Sequence, residues 1–106
     1  MLGAIMGDMI GSLYEFHPIK TKDFDIYNPD MDMTDDSYLT IEVAKALLKH
    51  YPFSFDEQSL AEIKEDLIKG FVKTWKEHRA AGFGGMFYAW CVKASRGVKP
   101  ESYNSW

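Results

Sequence analysis

Met33-Thr34-Asp35-Asp36-Ser37-Tyr38-Leu39-Thr40 is where a polar loop turns into a helix. After it, Leu39, Val43, Ala44, Leu47 and Leu48 recur at helical spacing on one side of a segment running from about Asp36 to His50, and Pro52 closes it. Before it, His17 to Met33 is irregular, with Pro18, Pro29 and scattered Asp and Lys. Connections of that length inside a domain are often functional or mobile.

The pattern extends in both directions. An opening helix over about Leu2 to Tyr14 places Leu2, Ile5, Met6, Met9, Ile10 and Leu13 at helical spacing, with Gly3, Gly7 and Gly11 on every fourth residue. Each glycine costs a helix about 1 kcal/mol relative to alanine, so the stripe predicts a helix or a ligand packed close against it. A membrane-dimer stripe is excluded, because Asp8 and Glu15 interrupt a stretch far shorter than the roughly 20 residues needed to span a bilayer. Downstream, Ser59 and Glu62 read as a capping box for a third helix carrying Leu60, Ile63, Leu67, Phe71 and Trp75. Its acidic front end, Glu57 to Glu65, suits the helix dipole. Gly82-Phe83-Gly84-Gly85 then turns the chain into a last helix, Met86 to Ser95, with Phe87, Trp90, Cys91 and Ala94 inward. With no persuasive strand and no internal repeat, the class is all-α.

Composition narrows the function. A chain of 106 residues, 46% hydrophobic and 15% aromatic, has the size and apolar content of one domain with a core. The net charge of −4, without a Lys/Arg run, argues against nucleic acid or a polybasic membrane surface as partner. Cys91 is the single cysteine and Met1-Leu2-Gly3 has no basic n-region, so a cytoplasmic location is expected. Cys91 reads as core, since no activating base lies near it in sequence. His17, His50 and His78 lack zinc-ligand spacing.

Asp30, Asp32, Thr34, Asp35, Asp36 and Ser37 crowd oxygen donors into eight positions. A helix cap needs one such residue; the remainder suits a hard divalent cation, which takes oxygen ligands and relieves the repulsion of adjacent acids. Capping with solvated charge and metal binding both stay open on the residues alone. An EF-hand does not: Asp35 stands where that loop needs glycine and Ile41 where it needs a bidentate glutamate. Gly84 and Gly85 could offer amides to a phosphate, although a plain turn between helices explains them as well.

Leu2-Gly3-Ala4-Ile5-Met6-Gly7-Asp8-Met9-Ile10-Gly11-Ser12-Leu13-Tyr14-Glu15, followed by Thr34-Asp35-Asp36-Ser37-Tyr38-Leu39-Thr40, resembles the amino-terminal half of bacterial ADP-ribosylglycohydrolases. Lys20 to Phe24 resembles that family's linking loop, and Gly82 to Trp90 its later glycine-aromatic segment. The resemblance implies an orthogonally packed helical bundle that holds two Mg²⁺ ions and removes ADP-ribose from modified proteins or small ADP-ribose conjugates. It assigns metal coordination to Thr34, Asp35 and Asp36, and a catalytic position beside the metals to Glu15. Asp35, Asp36, Gly84 and Gly85 are implied in substrate binding, and Asp8 either stands behind the metal ligands or serves the structure in packing or capping.

The family continues well beyond this length. Tyr103 to Trp106 resembles the run before its Gly-Asn-Gly loop, and its second metal motif, Asp-x-Asp-Thr, has no counterpart here. The expectation is the amino-terminal portion of one domain, truncated at the carboxyl end, with half a metal site and no meaningful turnover alone. Self-association through an incomplete core is a further expectation. A catalytically silent relative of the same fold is the alternative function, since fold does not fix activity.

Overall fold

The computed structural model describes residues 1–100, and the resemblance of Tyr103 to Trp106 falls outside them. Four helices form: α1 (Leu2–Ser12), α2 (Asp35–Lys49), α3 (Glu57–Glu77) and α4 (Gly85–Ser95). No strand occurs among the described residues, which are all-α. None of these helices is long and apolar enough to cross a membrane. Packing follows chain order, α1 on α2, α2 on α3 and α3 on α4.

The four segments match the sequence pattern, but one cap differs. Asp56, not Ser59, starts α3: its carboxylate accepts the Ser59 backbone N–H at 2.9 Å and the Ser59 hydroxyl at 2.9 Å. Ser59 is thus the third helical residue, whose orphan amide an N-cap carboxylate satisfies. The Ser54 hydroxyl donates to the same carboxylate. Ser54 and Ser59 together hold the Asp56 carboxyl down at about 2.

Side chains lock α2 to α3 at two levels. At the carboxyl end of α2, Asp66 Oδ2 takes Lys49 Nζ at 2.7 Å and lies 2.7 Å from His50 Nε2. Midway, Gly70 lets the helices approach: a Cβ there would stand 2.7 Å from Glu42 Oε2. On the far side of α3, Trp75 is 3% exposed, with the Arg79 guanidinium 3.9 Å from its ring centre and the Tyr88 ring edge-on at 5.1 Å. Cys91 is fully buried, and burial pushes its thiol up to about 11. That agrees with a core role and leaves little thiolate at neutral pH.

The expected apolar face of α2 is only partly covered. Ala44 is buried, whereas Val43, Leu47 and Leu48 are exposed. No residue of α1 is buried, although its sequence is apolar on most sides. The periodicity gave each helix an apolar face; the fold leaves much of those faces uncovered. The radius of gyration is 16.1 Å, against about 13 Å for a compact domain of roughly 100 residues.

Replacing Asp56 with alanine is expected to lower the melting temperature at pH 7. Because the folded Asp56 carboxyl sits below its unfolded value, that stabilisation is present above about pH 4 and fades as pH falls toward about 2. Thermal melts of wild type and Asp56→Ala should therefore converge in acid.

Candidate functional site

The site is built on one carboxylate reaching across 26 residues of sequence. Thr34 occupies the N-cap position of α2, but its own side chain makes no capping bond. Asp8 of α1 supplies the cap: its Oδ2 accepts Thr34 N–H at 2.9 Å and Ser37 N–H at 3.3 Å. The Thr34 hydroxyl donates to Asp8 Oδ1. Two amides left over at the start of α2 are thereby satisfied from another helix, and an acid in an apolar helix gains donors. The local reading of Thr34, Asp35 or Asp36 as the capping side chain gives way to this arrangement.

Burial works against the charge of Asp8, but the Ser37 and Thr34 hydroxyls and their backbone N–H groups outweigh it and hold the carboxyl below its usual range. Ser37 is 1% exposed, and its hydroxyl reaches no partner at good hydrogen-bonding geometry among the described residues. Its influence on Asp8 is one of proximity. Ser12 adds a second tie between α1 and the loop, accepting Asp32 N–H at 3.3 Å while donating to Met9 O at 2.8 Å.

The opposite side of the α2 start meets the turn between α3 and α4. Asp35 N–H donates to Ala81 O at 2.9 Å, and the Tyr38 ring stacks on His78 at 3.9 Å. Gly82 has φ +96°, a conformation open to glycine, and a Cβ on it would lie 3.6 Å from Asp35 Oδ1. Burial first, then the charges of Asp36 and Asp8, push the Asp35 carboxyl up. Its negative charge is undercompensated.

Between α1 and the start of α2 lies a groove of about 660 Å³. Asp8, Glu15, Thr34 and Asp36 line it, together with Gly7 and Gly11. The glycine stripe therefore does not mediate close packing: nothing stands within 4 Å of a Cβ placed on Gly3, Gly7 or Gly11. Bare backbone instead keeps that wall of the groove open. Glu15 lies beyond the end of α1, exposed at the groove.

Asp35, Gly84 and Gly85 are not in the groove wall. Gly84 and Gly85 begin α4, with no side-chain cap and open space around them. The structure thus gathers Asp8, Glu15, Thr34 and Asp36, and sets Asp35 against Gly82. Among the described residues, no three His, Cys, Asp or Glu side chains converge as a cation cage. The Thr34, Asp35 and Asp36 oxygens are hard donors of the right kind for Mg²⁺, but they are too few to enclose one.

Ser12, Tyr14 and Thr40 also border the groove and were not singled out in sequence. The signal for Asp8 was present: a lone acid in an apolar helix must find donors. The chain matches no protein-family model, no curated protein and no solved structure.

Removing the trans-helix cap by Asp8→Ala is expected to cost about 0.5–2 kcal/mol, the range for lost helix caps, read by urea or thermal unfolding at pH 7. Asp8 is depressed in the fold, so its contribution exists above the unfolded carboxylate range and is lost as pH falls through the folded value. The gap between wild type and variant should narrow in acid.

Proposed function

We propose that this chain supplies the ribose- and Mg²⁺-binding part of an ADP-ribosylglycohydrolase of orthogonal helical-bundle fold. Its substrates in that reading are ADP-ribosylated proteins or small ADP-ribose conjugates. The observation that carries the proposal is the shared groove: Glu15 and Asp36 line one concavity with Thr34, and Asp8 fixes its floor. The second support is the motif order, the glycine helix ending in Glu15 followed by Thr34-Asp35-Asp36.

The chemistry is consistent with those residues. Cleavage at the anomeric carbon of ribose passes through an oxocarbenium-like state, which nearby carboxylates stabilise. Glu15, exposed at the groove, is the group positioned to orient a water molecule toward that carbon or take its proton. In this reading Thr34 and Asp36, which line the groove, and Asp35, which stands outside its wall, would hold the divalent cations, which when bound supply Lewis-acid polarisation of ribose oxygens and of water. Asp8 is a positioning residue: it holds the Thr34 hydroxyl and the first turn of α2 in place. Gly7 and Gly11 leave room for a ligand to approach the α1 backbone.

Because the cation ligands on this chain do not form a cage, binding should be weak and hydrolysis by this polypeptide alone should be undetectable. Titration of isotopically labelled chain with ADP-ribose and Mg²⁺, followed by NMR, should shift the amides of Asp8, Glu15, Thr34 and Asp36. Asp36→Asn should weaken that response at least about tenfold, the scale of one lost charged contact. Shifts confined to other helices, or a response unchanged by Asp36→Asn, would overturn the proposal. A response to Ca²⁺ alone, without any effect of ADP-ribose, would instead mark a simple cation-binding module.

A further inference from the structure

Two of the close approaches between α2 and α3 lie away from the groove, Glu42 against Gly70 midway along α2 and Asp66 with Lys49 and His50 at its carboxyl end. The amino end, which carries Thr34, Asp35 and Asp36, meets the end of α3 through Tyr38 and His78, whose rings stack at 3.9 Å with 18° between their planes. Asp35 and Tyr38 stand three residues apart and so share one side of the helix. Asp36 and Thr40, four apart, share another, and both border the groove. What grips the first side therefore sets how the second faces.

His78 belongs to a well-anchored turn. It follows α3 directly and donates its N–H at 2.9 Å to the carbonyl of Thr74, a buried residue. Its own carbonyl accepts the Ala81 N–H at 3.0 Å, closing the turn that presents Ala81 O to Asp35 N–H. Next in the chain, Arg79 lies over the buried Trp75 ring, with the Tyr88 ring centre 5.9 Å away. On the other side of the groove, α1 has no buried residue. Asp8 thus ties the first turn of α2 to α1, while His78 ties it to the core.

We propose that His78 is a positioning residue for the groove: its ring on Tyr38, with the Ala81 carbonyl on the Asp35 N–H, fixes the first turn of α2 against the α3–α4 core so that Thr34 and Asp36 meet a ligand already in place. Residues that never touch a ligand act in this way by locking the groups that do. The ligand used as a probe rests on the ADP-ribose and Mg²⁺ reading above, so the grip of His78 on the turn is measured first without it.

In the ligand-free full chain, hydrogen exchange of the Asp35 amide should be faster in His78→Ala than in wild type, while the α4 amides keep their protection. His78→Phe, which keeps a ring to stack on Tyr38, should restore it. Tyr38→Ala removes the same stack from the α2 side and should reproduce the His78→Ala result. With Mg²⁺ and ADP-ribose added, His78→Ala should raise the apparent dissociation constant at least about tenfold, the scale for losing a group that orients ligands, and His78→Phe should stay within about twofold of wild type. Asp35 exchange unmoved by His78→Ala and Tyr38→Ala overturns the proposal. So does an affinity that folded His78→Ala retains, or a His78→Phe chain that behaves like His78→Ala. A wild-type chain that answers neither probe, while Asp35 exchange follows the stack, refutes the ADP-ribose reading and upholds the positioning of the turn.

Discussion

One carboxylate holds the amino-terminal part of this fold in register. Asp8 lies in a helix without a buried residue, so α1 has little hydrophobic burial to anchor it. What it does have is a charge-assisted set of hydrogen bonds to the first turn of α2, stronger than neutral ones and specific in geometry. The same bonds satisfy amides that α2 cannot satisfy itself. Each helix therefore supplies what the other lacks.

The start of α2 becomes a hub through this arrangement. Asp8 holds it from one side, while the Ala81 carbonyl and the His78 ring hold it from the other. Asp36 and Thr34 are left facing the groove with Glu15, and Asp35 is pressed where burial and neighbouring acids disfavour its charge. Natural proteins keep such electrostatic conflict mainly where it serves binding or chemistry. It is this conflict, with the groove beside it, that makes the Thr34-Asp35-Asp36 turn a functional candidate beyond its place in the fold.

Much of this was legible in sequence, and the rest was hidden for identifiable reasons. Helical spacing located all four helices, because periodicity is a local property, and it placed Trp75 and Cys91 inward. The α3 cap was misplaced by three residues, since Asp56 and Ser59 are both good caps and only the fold shows which carboxylate meets which amide. The cap of α2 could not be found by local rules, which search neighbouring positions and not a helix 26 residues away. Leu47 and Leu48 carry an apolar periodicity that states which side seeks cover and not what covers it. The glycine stripe was read as a surface for a helix or a ligand packed close; no helix packs there, and Gly7 and Gly11 are a bare wall of the groove.

The account rests on Asp8 joining α1 to the first turn of α2, and hydrogen exchange of individual amides tests that join most directly. In wild-type chain the Thr34 and Ser37 amides should be protected, and in Asp8→Asn both should exchange faster together with the α1 amides, while those of α3 keep their protection. Unchanged exchange at Thr34 and Ser37, or equal loss of protection throughout α3, would contradict it.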